Sequence, residues 1–257
     1  MIKTNYHTHT KRCLHAEGND LDYINEAIKA NLHTIGFSDH GPYEDNRFGL
    51  RMPYSVLPEY IKTFKNFKKQ FKDIINIKIG LEIEYDENKL DYYKYLLTKL
   101  DYLALGQHIF LDKNNNFLNS YEIKSTESYL DYANSISKAL NTKLFSFVAH
   151  PDLIFLNEFP FDENCEKACN IIINAAKRNN SILEFNANGF RRGIHKFPDG
   201  ERYQYPYKPF WEKVKENNLM VLVSSDCHNP KQVYDSYMEM AVNTAKDFGL
   251  NVIDFID

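Results

Sequence analysis

Apolar and polar positions follow two rhythms along the chain. Short apolar runs rich in β-branched residues read as buried strands at Ile2 to Tyr6, Thr34 to Phe37, Ile77 to Ile83, Tyr102 to Leu105, Leu144 to Val148, Ile182 to Phe185 and Val221 to Val223. Between them, apolar residues recur every three or four positions. Leu21, Ile24 and Ile28 stripe a helix over Asp20 to Ala30, and Leu57, Tyr60, Ile61, Phe64, Phe67 and Phe71 stripe one over Val56 to Phe71. The same spacing predicts helices at Leu90 to Leu100, Ser125 to Leu140, Glu163 to Arg178, Pro209 to Glu216 and Gln232 to Phe248.

Seven strand-then-helix units follow one another without a polar interruption, which argues for parallel strands covered by helices. The expected fold is α/β: a distorted, seven-stranded (β/α)7 TIM-like barrel, with Val252 to Phe255 as a leftover edge. At 257 residues and 43% hydrophobic content, the chain is expected to form one domain, 1–257. Three connections are long, Gly41 to Ser55, Ile109 to Lys124 and Ala187 to Lys208, and connections of that length tend to carry function.

Charge narrows the classes of partner. With 31 basic and 35 acidic residues the net charge is -4, so the chain has no overall attraction for a nucleic-acid backbone or an anionic membrane, and any phosphate binding must be local. No apolar run approaches the roughly 18 residues of a membrane span, and MIKTNYH lacks the apolar stretch of a leader, so a cytoplasmic location is expected. Four cysteines make no disulfide framework. Cys165 and Cys169 share a stripe with Ala168, Ile172 and Ala176, while Cys13 and Cys227 lie beside histidines but lack a CxxC partner.

The chemistry concentrates at the carboxyl ends of the strands. The first strand runs into His7 and His9, with His15 close behind; the second ends in Asp39 and His40; the third carries Glu82 and Glu84; the fourth ends at His108, the fifth at His150, and the seventh at Asp226 and His228. Parallel strands present these ends on one face, where residues distant in sequence converge. Imidazole and carboxylate are ligands for zinc, iron and manganese, and an HxH pair places two imidazoles on one side of an extended segment. His7, His9, His15, His40, Glu82, His108, His150, Asp226 and His228 are too many donors for one ion, so two or three divalent ions are implied. Asp39 is expected to orient a ligand. Glu84, with the inward parity of Glu82, reads as an outer acid or the partner of a lysine. His33 precedes the second strand and belongs on the opposite face.

The stretches HTHT, SDH, GLEIEYD, GQH, AHPDL and SSDCH resemble, in order and spacing, the polymerase and histidinol phosphatase (PHP) superfamily. MPYSVLPEYIKTFKNFKKQF leading into IKIGLEIEYD, with HPDLI and EFNANG, is similar to its histidinol-phosphate phosphatase branch. The resemblance implies a distorted seven-stranded barrel with a trinuclear centre. A first ion would take His7, His9, Glu82 and Asp226; Glu82 would bridge to a second on His108 and His150; His15, His40 and His228 would hold a third. It also implies hydrolysis of a small phosphorylated substrate, L-histidinol phosphate plus water giving L-histidinol and phosphate, within histidine biosynthesis, with Glu82, Asp226 and His228 catalytic. Arg191 and Arg192, beyond the sixth strand, are placed to meet phosphate, and His195 is a further candidate for substrate contact. Alternatives on the same residues are a phosphotyrosine or general phosphomonoester phosphatase and a metal-binding protein without turnover. An amidohydrolase is disfavoured because the glutamate lies on the third strand, and a nuclease because the chain lacks a basic track.

Overall fold

The computed structural model describes residues 2–256. In chain order, β1 (Thr4–Asn5), α1 (Asp20–Lys29), β2 (Thr34–Phe37), α2 (Leu57–Gln70), β3 (Asn76–Ile83), α3 (Leu90–Leu97) and β4 (Tyr102–Leu105) form the first half. A hairpin of β5 (Ile109–Leu111) and β6 (Phe117–Asn119) precedes α4 (Ser128–Thr142), β7 (Phe147–Val148), α5 (Glu163–Asn179) and β8 (Ile182–Asn186). The short α6 (Asn188–Arg191) leads to a second hairpin of β9 (Ile194–Phe197) and β10 (Gly200–Tyr203). The chain closes with α7 (Lys208–Glu216), β11 (Met220–Ser224), α8 (Ser236–Asp247) and β12 (Asn251–Ile253).

Among the described residues, eight strands make one curled parallel sheet in the order β1-β2-β3-β4-β7-β8-β11-β12. The expected count of seven is exceeded by one, because Asn251–Ile253 pairs in register with Met220–Leu222 instead of remaining a loose edge. The curl brings the two sides of the sheet together. Thr8 bridges Cys227 in parallel, His9 N donates to the Cys227 carbonyl at 2.9 Å, and the Lys3 amide donates to Asp254 Oδ1 at 2.9 Å.

Alternation along each strand sorts the core into two layers. Ile79, Leu81, Leu103, Leu105, Leu183, Phe185, Val221 and Val223 face the helices, whereas Tyr6, Tyr102, Ala104, Phe147, Ile182 and Leu222 pack inside the curl. Tyr102 is the centre of this inner plug, donating its hydroxyl to the carbonyls of Tyr6 at 2.6 Å and Phe37 at 3.1 Å. Two glycines make room for it: a β-carbon on Gly80 or Gly36 would lie 2.4 or 2.5 Å from Tyr102 atoms. The plug is the floor on which the carboxyl-end side chains stand.

Two of the long connections proved partly regular. Ala187 to Lys208 contains α6 and the second hairpin, whose Pro198-Asp199 turn runs into Gly200 at φ +120°. Ile109 to Lys124 contains the first hairpin. The last helix begins at Ser236 rather than at Gln232, because the Asp235 carboxylate caps the Met238 amide at 2.9 Å and starts the helix there.

Candidate metal centre

All nine residues expected as metal ligands meet above the inner plug, and Glu82 is their hub. His150 Nε2 lies 2.8 Å and His108 Nε2 3.6 Å from Glu82 Oε1; His40 Nδ1 lies 2.8 Å, His7 Nε2 3.5 Å and His9 Nε2 3.6 Å from Oε2. Asp226 Oδ1 lies 3.2 Å from His9 Nε2, 3.6 Å from His7 Nε2 and 3.7 Å from His228 Nδ1. His15 completes the outer rim, with ring centroids 5.2 Å from His40 and 4.6 Å from His228. Gly106 leaves space for the hub: a β-carbon there would sit 2.2 Å from Glu82 Oε1.

The donor atoms suit cations better than one another. His7 Nε2, both ring nitrogens of His9, His40 Nδ1, His228 Nε2 and Glu82 Oε2 are buried without an aligned hydrogen-bond partner. Orphaned buried polar atoms are costly and scarce in native proteins, so their concentration at one point fits a site made for divalent ions. Four overlapping sets each bring three donor atoms within 4.8 Å of one another: His7, His9 and Glu82; His7, His150 and Asp226; His40, Glu82 and His108; His15, His40 and His228. Cys13 forms a fifth set with His9 and His228, although its thiol also reaches the Thr10 carbonyl at 3.1 Å.

The electrostatics follow from this crowding. Burial pushes Glu82 up, but His108, His7 and His40 outweigh it and hold the carboxyl well below its ordinary range. Burial likewise pushes His7 down, and the carboxylates of Glu184, Asp226 and Glu82 overcome it and raise the imidazole well above its ordinary value. Burial and the neighbouring His9 hold His228 down to about 3. Two of the donors occupy left-handed backbone, His150 at φ +30° and Asp226 at φ +49°, a strain that clusters at functional sites.

Sequence reasoning missed Glu184. It stands in β8, accepts from or pairs with His7 Nδ1 at 2.7 Å, receives the His150 amide at 3.0 Å and Asn186 Nδ2 at 2.8 Å, and so ties two ligand-bearing segments together. The available signal was a glutamate inside an otherwise apolar strand, ILEFN. Asn186 and Asn188 also reach Asp226 Oδ2, at 3.2 and 3.3 Å. Asp39 does not enter the cluster; it accepts from the Thr10 amide and hydroxyl, fixing the turn after His9. Glu84 pairs with Arg51 rather than with a lysine. His33 lies at the opposite end of β2, 3.1 Å from Thr34 Oγ1.

The three residues expected at substrate separate sharply. Arg192 lines a cavity of about 450 Å³ at the mouth of the site, with His15, His40, His108, Arg51 and Tyr121, and its guanidinium lies over the rings of Tyr121 and Tyr205. Arg191 turns the other way. Its guanidinium is consumed by Asp235 at 2.9 and 3.0 Å, Ser225 Oγ at 2.7 Å and the Gln232 carbonyl at 3.1 Å, so it locks α6 to the start of α8. His195 is exposed on the second hairpin, 3.0 Å from the Arg192 carbonyl, and is not among the cavity walls.

A curled parallel sheet with buried imidazole and carboxylate donors gathered at its carboxyl face defines a class of metallohydrolase, and the chain belongs to the PHP domain family, whose model matches residues 5–188. It is 26% identical to the histidinol-phosphatase of Bacillus subtilis, over 93% of this chain and 99% of that protein. It is 25% identical to the probable histidinol-phosphatase of Deinococcus radiodurans, over 97% and 95%. The fold matches that of histidinol phosphate phosphatase from Lactococcus lactis, solved with zinc, L-histidinol and phosphate, at a TM-score of 0.70 and 19% identity, covering 99% of this chain and 98% of that one. Among the described residues no helix is long and apolar enough to cross a membrane.

Proposed function

We propose that the protein is a metal-dependent phosphomonoester hydrolase acting on L-histidinol phosphate. The observation that carries this reading is the set of buried, unpartnered imidazole nitrogens converging on the Glu82 carboxylate, in a chain whose full-length relatives bear the name histidinol-phosphatase. His7, His9, Glu82 and Asp226 would hold one ion, Glu82, His108 and His150 a second, and His15, His40 and His228 a third. Divalent ions in such a site acidify water, orient it for in-line attack and neutralise phosphate oxygens.

The chain's own residues supply the rest. Glu82 holds the cluster together through both carboxylate oxygens. Burial pushes Asp226 up, but His7, His9 and His228 outweigh it and hold the carboxyl well below its ordinary range; oriented by the Asn186 and Asn188 amides, it would accept a proton from the attacking water. Of the two arginines lining the mouth, Arg51 is tied to the Glu84 carboxylate, whereas Arg192 donates to the neutral Gln204 Oε1 at 3.4 Å and lies over the rings of Tyr121 and Tyr205. Arg192 therefore offers paired donors to phosphate oxygens.

The test is phosphate release by purified protein supplied with zinc or manganese, measured on L-histidinol phosphate beside phosphotyrosine and simple monoesters, with and without chelator. The expected outcome is chelator-sensitive hydrolysis with the highest kcat/KM on L-histidinol phosphate. Faster turnover of another monoester would reassign the substrate, and absence of turnover in the loaded protein would leave a metal-binding protein.

A further inference from the structure

Arg51 reaches the site on an unusual stretch of backbone. Asn46, Phe48 and Leu50 adopt left-handed φ values of +49°, +69° and +55°, a conformation unfavourable for Phe and Leu. The stretch delivers the Arg51 side chain, 10% exposed, onto the Glu84 side chain, 2% exposed. Glu84 Oε1 lies 3.4 Å from His108 Nδ1, and His108 Nε2 lies 3.6 Å from Glu82. Arg51 Nε, Glu84 Oε2 and His108 Nδ1 are each buried without an aligned partner. Desolvation offsets most of the attraction in a buried ion pair, so such a pair is a poor device for stability alone. The molecule already contains a parallel arrangement in Glu184, which braces the Nδ1 side of His7.

We infer that Arg51 and Glu84 form a positioning pair for His108. Glu84 Oε1, at 3.4 Å, is the nearest carboxylate acceptor for a proton on His108 Nδ1; closing that gap into a hydrogen bond when an ion is bound would fix the tautomer whose Nε2 lone pair faces the Glu82 cluster. Arg51 holds the Glu84 carboxylate in place. The two braces differ in one respect: Glu184 receives a backbone amide and an asparagine, whereas Glu84 lies beyond the end of β3 and relies on a cation supplied by the β2–α2 connection. That connection also forms a wall of the cavity, so the same loop shapes the substrate's place and one metal ligand.

The inference rests on reading the cluster as a metal centre, and its test separates the two. Zinc affinity and ion content per chain are measured by chelator competition for the wild type, Arg51→Met, Glu84→Gln, the double variant and Arg51→Lys. The expected result is about 10- to 100-fold weaker binding of one ion in either single variant, the range for losing an outer partner of a metal-bound histidine. The double variant should be no weaker than the weaker single, and the lysine variant should recover part of the loss. Glu84→Gln, which keeps the side chain's shape, carries the test should Arg51→Met fail to fold. Unchanged zinc affinity with a raised KM would make Arg51 a substrate contact and overturn the proposal. Unchanged affinity with a lowered melting temperature would reduce the pair to scaffold and overturn it equally. A wild type that binds no divalent ion would instead sink the metal reading itself.

Discussion

The inner half of the metal centre mixes imidazoles with carboxylates and the outer half is imidazole alone, and the two hold their rings by different means. In the inner half His7, His9, Glu82, His150 and Asp226 are all buried. Glu184 braces His7 and the His150 backbone, Asn186 and Asn188 brace Asp226, and the aromatic plug lies beneath. In the outer half His40 is buried, but His15 is exposed and His228 is part-buried; their Nδ1 atoms lean on backbone carbonyls, Cys13 at 2.8 Å and Asp226 at 3.3 Å, with the Asp226 carboxylate 3.7 Å from His228. Preorganised donors lose little freedom when a cation arrives, whereas donors at a wet rim must be ordered by it. The inner half should therefore bind first and release last, and the outer half should respond to metal supply.

The strongest way to break that contrast is at the hub. Glu82→Gln removes a carboxylate shared by both halves, and kcat/KM should fall by about 10³-fold, the equivalent of several kcal/mol of lost charge stabilisation. Metal analysis should show fewer than the wild-type number of ions. Retention of both ion content and rate would mean that Glu82 is scaffold. A smaller effect is expected from Glu184→Gln, which keeps the shape of the brace and removes its charge. Metal affinity should weaken by about 10- to 100-fold, read by chelator competition, with the added loss of the charge that holds His7 above its ordinary value. If the outer ion alone were lost, the assignment of Glu184 to the inner half would be wrong.

The same contrast explains what could be read from the sequence. The convergence of the nine was legible because all but His15 lie at or just past the carboxyl end of a strand, and parallel strands carry those ends to one face; His15 followed from its closeness to His7 and His9 in the chain. Glu184 was not, because its meaning depends on pairing with a ring 177 residues away and on the inward face of β8. Arg191 and Arg192 are neighbours in sequence, and only the single turn of α6 decides that one is bound by Asp235 while the other overlooks the cavity. Arg51 sits in a connection with no periodicity, placed by a run of left-handed residues that pattern does not foretell. The eighth strand was foreseen only as an edge, since three residues of apolar pattern cannot declare their partner.

The mildest perturbation belongs to the rim, and it discriminates best between the halves. His15→Ala deletes an exposed ligand candidate while His40 and His228, whose rings lie 6.1 Å apart, remain. Water can enter a vacated exposed position and recover much of a lost contact, so the loss should be about tenfold in rate at limiting metal, near 1.4 kcal/mol, and should shrink as metal is added. The informative measurement is the rate as a function of free zinc or manganese, because the inner half, untouched by the substitution, sets the plateau. A plateau restored to the wild-type level with a shifted midpoint places His15 in a rim site that exchanges with solvent. A plateau lowered as far as in Glu82→Gln, at every metal concentration, would show that rim and interior act as one unit and that burial does not divide the centre.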